Sequence, residues 1–273
     1  MFSKNEVEDF IKNYSAYLII ITIIYAFTTI IVLAAPKGFP IPELETSYNL
    51  FGPSLAALIL LLLIGSYQIY RYFTKSPPQQ NTPFQVIWGI SFYIYAITML
   101  GLCLEALAFE FADMTEPILF LVWRSPMIFW VAGMWLAITT LMTNDKRVQI
   151  IPMLLIIILG ELWFFLGLII VRDIELTMYG FLYWEFIPMA LILALIWYHY
   201  GKTSTLSSPL VIASGFTLFG LVYLAWAPWH FSDVRYMWFI WFNVYLISLA
   251  LIFGGLYAFP KEILAKFPEN DEE

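Results

Sequence analysis

The sequence predicts an all-α fold, a polytopic bundle of membrane-spanning helices, and three observations predict it. Of the 273 residues, 62% are hydrophobic and only 12% charged, whereas soluble domains have about 45–50% apolar and about 25% charged residues. The apolar residues fall in long runs, 18–33, 55–64 and 153–170, the last interrupted by Glu161. Stretches of the roughly 20 residues that a helix needs to cross hydrocarbon recur along the whole chain. This composition excludes a soluble globular enzyme, a nucleic-acid-binding domain and a disordered protein.

Eight spans are expected, one plus seven, in a single membrane domain: 16–35, 52–72, 84–107, 117–142, 148–171, 177–200, 208–226 and 236–259. The first is read as a retained helix and not a secretory signal. The stretch before it carries Glu6, Glu8 and Asp9 against Lys4 and Lys12, whereas a signal begins with a basic region and a shorter apolar one. Connections such as Ser76-Pro77-Pro78 and Thr143-Asn144-Asp145 are short and rich in turn formers. No loop can hold a soluble domain, and the stretch after Pro260 is too short for a kinase, cyclase or nucleotide-binding domain.

Lysine and arginine placement predicts orientation. Lys4, Lys12, Arg71, Lys75, Lys146, Arg147, Lys202, Lys261 and Lys266 fall on one side, and Lys37, Arg172 and Arg235 on the other. The expectation is a cell-membrane protein with both termini cytoplasmic and an acidic outer face. The net charge of −7 argues against nucleic acid and anionic lipid surfaces as partners. One cysteine, Cys103, excludes an internal disulfide and a thiolate metal cage, and two histidines, His199 and His230, are too few for a three-histidine zinc site. Neither a metal nor a cofactor is expected.

An ionisable group at bilayer depth costs about 2.5–3.5 kcal/mol on insertion scales and is a functional candidate. Glu105, Arg124, Glu161 and Glu185 are such groups, and Asn243 joins them as a neutral polar one. At 1.5 Å rise per residue, Arg124, Glu185 and Asn243 lie roughly 10–12 Å below the outer face. Glu105 is shallower and Glu161 roughly 15 Å down. All fall in the outer half, which predicts a polar pocket opening outward, with Tyr183 and Trp184 as apolar walls. With three carboxyls and one guanidinium ionised, the pocket would favour a cationic ligand or hold protons. The plainer alternative is a static Glu105–Arg124 ion pair between neighbouring helices.

In span three, Ser91, Tyr95, Thr98, Gly101 and Glu105 recur at steps of four and three, which places them on one stripe. Small and polar residues along a stripe let membrane helices approach and hydrogen-bond. Pro126, two residues after Arg124, and Pro188, three after Glu185, are expected to loosen the backbone beside the charged groups.

Known catalytic motifs are missing. The last span has no lysine for a retinal Schiff base. No adjacent glutamates stand where an intramembrane glutamic protease needs them, and no Walker, Rossmann or H-E-x-x-H pattern occurs. Instead, the segment Leu102-Cys103-Leu104-Glu105-Ala106-Leu107 ends one helix and Val122-Trp123-Arg124 opens the next. A short basic loop spans 143–149, Pro209 starts the penultimate span and Pro260 closes the last. In these features spans two to eight resemble the seven-helix membrane region at the N-terminus of some prokaryotic sensor histidine kinases. The resemblance implies an extracytoplasmic or membrane-embedded ligand pocket, with Glu105 and Arg124 as its acid–base pair. Without the kinase, output would pass through a separate cytoplasmic partner. The sequence thus points to a sensor-like or receptor-like protein for a small or lipidic ligand. The alternatives are a proton- or cation-coupled small-solute transporter using Glu161 and Glu185, and a non-catalytic membrane subunit.

Overall fold

The computed structural model describes residues 47–74, 83–106, 121–225 and 237–266. The helices are α1 (Ser47–Thr74), α2 (Pro83–Ala106), α3 (Pro126–Met142), α4 (Lys146–Phe165), α5 (Ile174–Phe181), α6 (Ile187–Ser204), α7 (Ser208–Leu224) and α8 (Met237–Lys266). Among the described residues there is no strand. Two π-helical turns interrupt the rods: Leu166–Val171 prolongs α4, and Leu182–Phe186 joins α5 to α6.

Six helices are long and apolar enough to cross a membrane: Gly52–Thr74, Pro83–Leu104, Leu121–Met142, Lys146–Val171, Leu176–Ser204 and Ile240–Ile263. A shorter apolar helix, Ser208–Leu224, stands where the seventh span is expected. The all-helical class is therefore borne out, and the six long apolar helices are those of a helical membrane bundle. The total of eight depends on the first span, 16–35, which lies outside the described residues.

Short turns build the antiparallel hairpins. Asp145 caps α4 by accepting from the Arg147 N–H at 2.8 Å, and Gln149 Nε2 donates to the Thr143 carbonyl at 2.6 Å. Asp173 caps α5 in the same way, accepting from the Leu176 N–H at 2.9 Å, after Arg172 reverses the chain at φ 61°. These caps satisfy backbone N–H groups that a helix start leaves without partners.

The rods pack in a ring. α1 lies on α2, α2 on α3, α6 on α7, α7 on α8, and α8 on α1; the π-turn before α6 closes the circle against α3. α4 stands outside it, against α3 and more sparsely against α5. The buried residues of α4 and its π-turn are Gly160, Phe164, Gly167 and Leu168, one stripe at steps of four, three and one. The rest of α4 turns aliphatic side chains outward, as a lipid-facing helix does.

Aromatic rings fill the centre and cross it from wall to wall. Trp88 of α2 meets Trp197 of α6 at 5.9 Å and Phe216 of α7 at 5.8 Å between centroids. Trp130 of α3 meets Phe186 at 4.8 Å and Phe219 of α7 at 5.7 Å. Between neighbouring walls, small residues bring backbones together. A Cβ on Gly255 of α8 would fall 2.5 Å from Ile212 and 3.0 Å from the Ser208 carbonyl of α7, and one on Gly215 would fall 3.0 Å from the Ser248 carbonyl. Gly65 and Gly89 make the same reciprocal approach between α1 and α2.

The adjacent glycines of α8 make a paired test. Gly255→Ala is expected to cost about 1–3 kcal/mol by overpacking. Gly254, with nothing within 4 Å of a Cβ, should accept alanine with no loss, or a gain of up to about 1 kcal/mol. Thermal unfolding of the two variants in one detergent measures the difference.

Candidate functional site

Where Leu121–Met142 enters the bundle, residues 121–124 are helical, Ser125 is a turn, and Pro126 restarts the helix as α3. Proline has no N–H to continue the ladder, so the break falls beside Arg124, as the sequence led us to expect. Arg124 is only 8% exposed, and its charge reaches the Tyr223 phenol on α7. The preceding residue, Trp123, sits where a Cβ on Gly101 of α2 would be, 2.6 Å away. Glu105 follows one turn beyond Gly101 on α2, so the backbones carrying Glu105 and Arg124 are on adjacent segments; the Glu105 side chain lies outside the described residues.

Glu185 is in the π-turn Leu182–Phe186, where Ile187 N–H reaches back five residues to the Leu182 carbonyl. The second proline expectation is met there, because Pro188 follows and supplies no N–H. One carboxylate oxygen, Oε2, is buried without a hydrogen-bond partner. It lies 3.0 Å from where a Cβ on Gly160 would stand, with Ile128 of α3 on its other side. Glu161, next to Gly160, is half-buried on α4.

The remaining expected site residues are dispersed. Asn243 opens onto an apolar groove of about 470 Å³ between α1 and α8, lined by Ala56, Ile59, Leu60, Leu246 and Ala250. Tyr183 is buried and donates to the Leu224 carbonyl at 2.9 Å, tying the π-turn to the end of α7. Trp184 is 64% exposed on the outside of the bundle, so it walls no interior space. Arg124 and Tyr183 thus border the interior of the ring, Glu185 and Glu161 the α4 interface, and Asn243 the far wall.

What the structure does bring together is a set of phenols. Tyr95 of α2 shares a 2.5 Å hydrogen bond with Tyr223 of α7 and accepts one from Tyr245 of α8 at 3.1 Å. All three are buried in the aromatic core, among Phe186, Phe219, Trp130 and Trp241. The stripe of span three supplies Tyr95, and its other described members, Ser91, Thr98 and Gly101, are buried as well. Tyr223 and Tyr245 escaped the sequence reading because tyrosine near a membrane is ordinarily an interfacial anchor. For Tyr245 the signal was depth, since it stands well inside its apolar run where an anchor has no use; Tyr223, near the end of its helix, carried no such signal.

The network joins three walls of the ring below Arg124. Phenols can donate and accept, so the layer can exchange hydrogen bonds with a polar group that enters it. Toward the other end of the bundle, Phe84, Trp88, Trp197, Tyr200 and Phe259 make a continuous chain of ring contacts of 4.7–5.9 Å.

Tyr95 is the hub, so Tyr95→Phe removes two hydrogen bonds and leaves two buried hydroxyls behind. It should cost about 1–3 kcal/mol, and Tyr245→Phe about 0.5–1.5 kcal/mol. Thermal melts of the two single variants and the double variant check the order and give the coupling between them. No protein-family model, curated protein or solved structure matches this chain, so its function is argued from this geometry.

Proposed function

We propose that the chain is a receptor-like multi-pass membrane protein. It takes a small or lipidic ligand into the polar layer formed by Arg124 and the phenols of Tyr95, Tyr223 and Tyr245, and signals through a separate cytoplasmic partner. The single observation that carries this reading is the division of the interior: exchangeable hydrogen bonds near Arg124, and a run of packed rings toward the end that carries Arg71, Lys146, Lys202 and Lys266. With the basic end cytoplasmic, as the lysine and arginine placement favours, the polar layer faces the outside.

The layer suits a ligand whose polar head exchanges hydrogen bonds with the phenols while an apolar body meets the surrounding rings. Its three tyrosines come from α2, α7 and α8, so a guest that parts them repositions three walls at once. α7 and α8 are tied again at the basic end. The Glu262 carboxylate accepts from the Ser207 N–H at 2.6 Å and the Ser208 N–H at 2.8 Å, and from both serine hydroxyls. Lys266 donates to the Ser204 carbonyl at 2.8 Å. Displacement at the phenols therefore has a rigid connection to the face where a partner would dock. A non-catalytic subunit is the second reading, favoured by the closed packing around the three phenols.

The test uses the full chain in nanodiscs and in sealed vesicles. A panel of small amphipathic compounds is screened by thermal shift, and one present at about 100 times its Kd should stabilise by about 2.7 kcal/mol. Tyr223→Phe should then weaken binding about tenfold, the equivalent of one hydrogen bond. Vesicles should show no ligand-driven proton or cation flux. Flux lost in Glu161→Gln would select a transporter, and neither binding nor flux the structural subunit.

A further inference from the structure

Glu185 stands apart from the phenol layer and has no part in the reading above. Its carboxyl occupies a notch whose floor is the π-turn Leu182–Phe186 and whose lid is Gly160 of α4. The notch exists because Gly160 has no side chain: a Cβ there would stand 3.0 Å from Oε2 and 2.7 Å from Ile128. Oε2 is buried and unpartnered. Among the described residues, the titratable and charged groups on the elements packed around it are Glu161 on α4, Arg124 one turn before Ile128, Glu175 and Tyr179 on α5, Tyr223 on α7, whose ring meets that of Phe186 at 4.7 Å, and Tyr183 on the π-turn itself.

A carboxylate without a cation partner in such a place takes up a proton in preference to bearing the cost of an isolated buried charge. α4 is the least embedded rod, held by the narrow stripe of Gly160, Phe164, Gly167 and Leu168. We propose that Glu185 is a proton-binding site: in its place against Gly160 the carboxyl holds a proton at neutral pH and gives it to water as the pH rises, the bonding pair staying on the carboxylate.

The reagent that reads this is dicyclohexylcarbodiimide, an apolar compound that adds to protonated carboxyls; the acid proton passes to its nitrogen as the carboxylate oxygen bonds to its central carbon. Full-length chain in nanodiscs is treated across a pH series and mapped by mass spectrometry. The expected result is modification at Glu185 at neutral pH, falling at least about tenfold by about pH 9 as the acid ionises, and absent in Glu185→Gln. That variant keeps the shape of the neutral acid and should retain the wild-type melting temperature. No modification at Glu185, modification that prefers Glu161, or a rate independent of pH would overturn the proposal. Slowing by sodium at fixed pH would also overturn it, in favour of a metal-cation site. Because the readout uses neither Arg124 nor the phenols, it stands or falls separately from the receptor reading.

Discussion

Hydrocarbon offers no hydrogen bonds, and this constraint governs the arrangement of the whole bundle. Each polar group carried into the apolar spans has to find its partner within the protein. Many hydroxyls solve the problem locally: Ser91 donates to the Ile87 carbonyl at 2.7 Å, Thr139 to Trp135 at 2.8 Å and Thr217 to Ala213 at 2.9 Å, each one turn back on its own helix. Longer side chains solve it between helices. Trp241 Nε1 donates to the Val222 carbonyl at 2.8 Å and Trp163 Nε1 to the Thr177 carbonyl at 2.9 Å. The three central phenols satisfy one another and so register α2, α7 and α8. Not every group is satisfied: Oε2 of Glu185 is buried without a hydrogen-bond partner, as are Trp88 Nε1, Trp130 Nε1 and Thr98 Oγ1.

Close approach follows from the same constraint. Apolar side chains gain little by leaving lipid for one another, so the rods associate through packing and backbone proximity. Gly65 with Gly89, and Gly215 with Gly255, let two pairs of rods approach until one backbone touches the other. Elsewhere the ring is filled by aromatic side chains that reach across it, and edge-on contacts such as Trp88 on Trp197 at 80° make that filling specific. Small residues at the walls and large ones at the centre are complementary halves of one packing scheme.

Two of the stretches of irregular backbone stand where charge enters the bundle. The turn at Ser125 sits beside Arg124, and the π-turn of Leu182–Phe186 contains Glu185. Both precede a proline by a few residues, and such breaks are tolerated where neighbouring protein takes up the freed groups. α4 ends in the other π-turn, and Thr177 of α5 leaves no room for a Cβ on Gly167 within it. Regular helices thus form the ring, while the interruptions gather on the side where α4 attaches.

The helical membrane class, six long apolar helices from 52 onward, the buried stripe of span three and the two backbone breaks were all legible from the sequence. Each depends on a local cause: the length of an apolar run, a period of three and four, or a missing N–H. Local cause also located the charged residues along their own helices. It could not say which of them share an interior. Depth along a helix is set by counting residues, but direction around the bundle is set by which rod lies beside which, and that follows from side-chain fit across the whole ring. Hence Asn243 and Glu185, placed at one depth by the sequence, face different interfaces in the structure. Tyr95, Tyr223 and Tyr245 come from distant parts of the chain, and only the closing of the ring brings their hydroxyls together.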